Sequence, residues 1–144
     1  MNEMLGNQYF LARRYKEATN HYEKTLLFDP TNLKIKKKLV ICYLQNNQIK
    51  LALKLFASLI SEKIEIVINS DFNSDDCPCK QMIQELEQFP PNTNETEKNI
   101  SLGILWLYCD ILTSRKYFNK LLAEDPNNII YKNINDSLNQ SLQN

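Results

Sequence analysis

Glycine is nearly absent from this sequence, with two residues in 144, and proline is scarce, with five. Hairpins and sandwiches consume such turn residues, so the shortage argues against a strand-rich chain and for helices. An excess of either charge is missing too, since 17 Lys and Arg balance 17 Asp and Glu. Nucleic-acid binding needs a clearly basic surface, and no nucleic-acid partner is expected. The opening MNEMLGNQYFLARRY lacks a basic start followed by a long apolar stretch. That predicts a cytoplasmic chain with reduced thiols, and the composition favours no membrane span. One histidine, no Gly-rich phosphate loop and no nucleophile motif leave little to build an active site from. The expectation is a non-enzyme with no catalytic residue and no cofactor.

What is present is an ordinary soluble balance, 43% hydrophobic and 24% charged, over a length that suits one domain spanning 1–144. Self-comparison finds a period. Leu5, Tyr9, Ala18 and Tyr22 return 34 residues later as Leu39, Tyr43, Ala52 and Phe56. Within each unit apolar residues recur every three or four positions, as in Ala52, Phe56, Leu59 and Ile60, so each unit reads as a pair of amphipathic helices.

Leu5-Gly6, Tyr9, Ala18, Tyr22 and Pro30 stand at the spacings of the tetratricopeptide repeat, and the chain resembles that family. The second unit keeps the pattern but has Val40 for Gly and Ile64 where Pro would fall. Leu102-Gly103, Trp106, Ser114, Phe118 and Pro126 follow the same order with one residue missing between the helices. The resemblance implies an all-α short solenoid of antiparallel helix pairs, with units at about 1–32, 33–69 and 94–127. Between them lies a degenerate, distorted unit at 70–93, and residues 128–142 form a capping helix with Ile130, Ile134 and Leu138 on one stripe. Residues 61–69 continue the helical period past the expected stop, and Pro78 suits the first turn of a helix running to about Phe89. Small residues at Ala18, Ala52 and Ser114 are expected to let a neighbouring aromatic enter between paired helices.

The family uses the concave face of its first helices to hold peptides or helices of partner proteins. Projected onto this chain, that groove presents Asn7, Phe10, Lys34, Lys37, Ile41 and Leu44. The run Lys34, Lys36, Lys37, Lys38 reads first as a solvated helix face; its functional reading is a site for an acidic peptide. The carboxylate clamp of some family members is not expected, because Glu3 and Glu97 stand where a cation is needed. A structural subunit that assembles by end-to-end stacking is the alternative, with self-association, since the first helix starts almost without a cap. Cys77 and Cys79 invite a metal reading, but four ligands are needed, and Cys42, Cys109 and His21 read as packing residues. Trp106 reads as core. Sequons at Asn94, Asn99 and Asn135 carry little weight in an Asn-rich chain.

Overall fold

The computed structural model describes residues 2–70, 78–88 and 94–143, and among these it contains nine α-helices and no strand. The chain divides into two compact units, Met1–Leu59 and Ile60–Asn144. The first unit holds α1 (Asn2–Leu11), α2 (Tyr15–Phe28), α3 (Leu33–Gln45) and most of α4 (Ile49–Lys63). Helix α1 lies against α2, and α2 against α3.

The 34-residue period is visible in the turns themselves. Arg13 and Asn47 both adopt left-handed backbone, at φ 62° and 61°. At each, the next amide donates back five residues: Arg14 N–H to the Tyr9 carbonyl and Gln48 N–H to the Tyr43 carbonyl, both at 2.8 Å. One left-handed residue reverses the chain and satisfies a helix-end carbonyl. Asn32 then caps α3 by accepting from the Ile35 amide at 3.2 Å, leaving its own amide to donate to Glu3 Oε1 at 2.7 Å.

The second unit contains the end of α4, α5 (Glu65–Ile68), α6 (Cys79–Gln88), α7 (Glu95–Leu107), α8 (Ile111–Glu124) and α9 (Ile129–Gln143). Helix α7 packs on α6 and α8, and α8 on α9. The expected extension of α4 is present but broken at Ile64, after which α5 makes one further turn. Helix α6 buries Cys79, Met82 and Ile83. The buried stripe of α9 is Tyr131, Ile134, Asn135 and Leu138, so Ile134 and Leu138 are buried as expected while Ile130 is half-buried and Tyr131 takes its place.

Gly6 and Gly103 show why paired helices approach so closely. A Cβ on Gly6 would lie 2.6 Å from Tyr22 Cε1, and one on Gly103 would lie 2.8 Å from Phe118 Cε2, with two more ring atoms within 3.2 Å. Both rings are fully buried. Ser114 makes the same approach polar, its hydroxyl donating to the Gly103 carbonyl at 2.6 Å. In a helix Gly→Ala ordinarily gains about 1 kcal/mol of propensity, whereas forcing an atom into a packed core costs about 1–3 kcal/mol. Because the Phe118 ring is fully buried, Gly103→Ala is expected to be destabilising by about 1 kcal/mol in urea unfolding; a stabilised variant would show that the ring yields.

Candidate protein-interaction surface

The six residues projected onto a groove separate into two groups. Phe10 is wholly buried, meeting Tyr15 edge-on at 5.8 Å and Tyr22 at 6.2 Å between ring centres. Ile41 and Leu44 are buried within the unbroken run Leu39–Leu44. Successive helical residues turn by about 100°, so six consecutive buried residues include positions on every face of α3. Phe10, Ile41 and Leu44 are thus buried, where the projection had placed them on an open groove. Lys34 is exposed, while Asn7 and Lys37 are half-buried.

Asn7 is held by two donors. The Tyr22 hydroxyl reaches its Oδ1 at 2.7 Å and Lys38 Nζ at 3.2 Å. The same ammonium lies 5.8 Å from the centre of the Phe10 ring, a cation–π distance. Lys38 thus joins α3 to α1, and its part in the lysine run is structural; the sequence gives no sign of this, because the bond spans 31 positions. Tyr43, at the repeat's aromatic position, donates to Glu23 Oε2 at 2.9 Å. Burial and then Glu23 hold its phenol well above the ordinary tyrosine range.

His21 stacks on Tyr9, with ring centres 5.5 Å apart, and its Nδ1 lies 3.1 Å from Asn2 Oδ1. Its role is packing. Cys42 is buried and Cys109 half-buried; both are free, and burial pushes each thiol up to about 12, with Asp110 adding to the shift at Cys109. Cys79 is buried and disulfide-bonded, which departs from the expectation of reduced thiols and occupies a sulfur that a metal would need. Cys77 lies outside the described residues. Among the described residues, no three or more His, Cys, Asp and Glu side chains are gathered as a metal site.

Among the described residues, three buried polar atoms lack a hydrogen-bond partner: Asn99 Nδ2, Trp106 Nε1 and Asn135 Oδ1. Asn99 and Asn135 sit at helix positions that apolar periodicity assigns to the core. The opposite departure is exposed apolar area on the first helix pair, at Met4 (62%), Leu11 (52%), Leu27 (79%) and Phe28 (87%).

Residues 9–63 match the family model described as tetratricopeptide repeat. The repeat is therefore shown for the segment from the end of α1 through α4, and repeats of this family are generally protein–protein interaction modules. No curated protein and no solved structure matches the chain. No helix among the described residues is long and apolar enough to cross a membrane.

Proposed function

We propose that this chain is a non-enzymatic interaction module that takes an acidic peptide segment of a partner protein on the surface around Asn7, Lys34 and Lys37. The observation that carries the reading is the division of α3 into two halves. Its residues Leu39–Leu44 are all buried, while its N-terminal half carries Lys34, Lys36, Lys37 and Lys38, of which Lys34 is exposed. A cluster of cations beside hydrogen-bonding amides attracts carboxylates and sets the salt dependence of their binding.

Selection from a displayed random-peptide library is expected to enrich Asp- and Glu-rich sequences. Their affinity should fall with added salt. In a Lys34→Glu/Lys37→Glu variant of unchanged circular dichroism it should fall by about tenfold or more. Enrichment of neutral or basic sequences, or equal binding by the variant, would refute the acidic-peptide reading.

A second reading, a structural subunit that assembles through its repeats, is favoured by the four exposed apolar residues of α1 and α2.

A further inference from the structure

The following rests on that second reading and gives it a partner. We propose that the chain pairs with a second copy of itself through α1, antiparallel, about a two-fold axis passing near Gln8. Helix α1 is apolar on two sides: Gly6 and Phe10 are buried, and Met4 and Leu11 are exposed with exposed Gln8 between them. Met4, Gln8 and Leu11 fall at i, i+4 and i+7, one stripe about 10 Å long. A helix with apolar residues on opposite sides is suited to lie between two layers, and within the first unit only one side of α1 has its layer, formed chiefly by α2.

Reversal symmetry selects the occupant. In an antiparallel pair Met4 packs on Leu11 of the second copy, Leu11 on its Met4, and the two Gln8 amides meet at the axis, each able to donate and accept. The charges carry the same symmetry. Glu3 precedes the stripe, and Arg13 and Arg14 follow it, so antiparallel pairing brings each acid toward the other copy's basic turn, whereas parallel pairing sets like against like. Arg14 is already bonded to Glu17 at 2.8 Å and lies over the Tyr9 ring, and Arg13 is engaged with Tyr15. Their contribution across the axis is therefore a field rather than a new bond. Helix α9 exposes apolar Ile129 and Leu142 only at its two ends, 13 positions apart, with Lys132, Asn133, Asp136, Asn139 and Gln140 exposed between them, so it offers no continuous apolar stripe to match, which disfavours head-to-tail stacking. A two-fold pair uses one patch twice and closes.

Sedimentation equilibrium of the full chain is expected to give a dimer. A Met4→Lys/Leu11→Lys variant with wild-type circular dichroism should weaken it by about a hundredfold or more, since four apolar side chains lose their burial. A Gln8→Cys variant should form an interchain disulfide on mild oxidation, which tests the axis without disturbing the stripe if the double variant fails to fold. A dimer that survives the double lysine change, or a Gln8→Cys variant that does not cross-link, overturns the α1 pairing while leaving self-assembly standing. A wild-type monomer at all concentrations overturns both.

Discussion

Phe118→Ala is expected to lose about 3–5 kcal/mol in urea unfolding, the usual range for deleting a buried ring. The upper end is expected here, because the ring rests on Gly103, which has no side chain to move into the space. Tyr22→Ala should cost a similar amount in the first unit, where the ring covers Gly6 and its hydroxyl holds Asn7 at 2.7 Å. Phe28→Ala is the control: the same type of deletion at an exposed position should stay within about 0.5 kcal/mol. With total stabilities of about 5–15 kcal/mol, either buried deletion should bring its unit close to unfolding. A loss below about 1 kcal/mol at Phe118 would mean that the Gly103 contact is not a load on stability.

Alkaline pH should be the second severe perturbation. Cys42 ionises at its ordinary 9.0 when unfolded and at about 12 in the fold, because burial disfavours the thiolate. The neutral thiol is thus the form the fold prefers. Its contribution is complete below pH 9 and is lost as pH rises from 9 towards 12, because the unfolded chain releases the proton first. Three pH units correspond to on the order of 4 kcal/mol. Tyr15 and Tyr43 are raised chiefly by burial and act with the same sign at higher pH. Urea midpoints measured from pH 7 to 11 should fall steeply above 9, and Cys42→Ala should flatten the slope. An unchanged slope in that variant would assign the effect to Cys109, which burial raises in the same way, and to the tyrosines.

The helix pairs were legible because their determinants are local and strictly spaced. Leu5-Gly6 through Pro30 states one unit, and its return at Leu39–Phe56 states the next. The surface was less legible. Projecting Phe10, Ile41 and Leu44 onto a groove assumes that every first helix keeps one open side, and their burial comes from residues distant in sequence that no local spacing encodes. Lys38 was hidden in a charge run for the same reason, since only its distant partner Asn7 distinguishes it from Lys34. On α9, amphipathic Tyr131 replaced Ile130 in the buried stripe, a choice that apolarity alone decides wrongly. Asn99 and Asn135 are buried at positions that apolar periodicity gives to the core, but their polar side chains hide it from a reading by residue type.

The turn after α7 has a further meaning. Asp110 N–H donates to the Trp106 carbonyl, four residues back, where Arg14 and Gln48 reach back five. The hairpin omits its left-handed residue, yet Gly103 still receives the Phe118 ring as Gly6 receives Tyr22. The connection acts as a length buffer: it absorbs a deletion while the interlocking of the two helices stays in register. Any template of constant spacing falls out of phase at such a joint, although the ring-on-glycine contact of the first helix pair is kept in the later one.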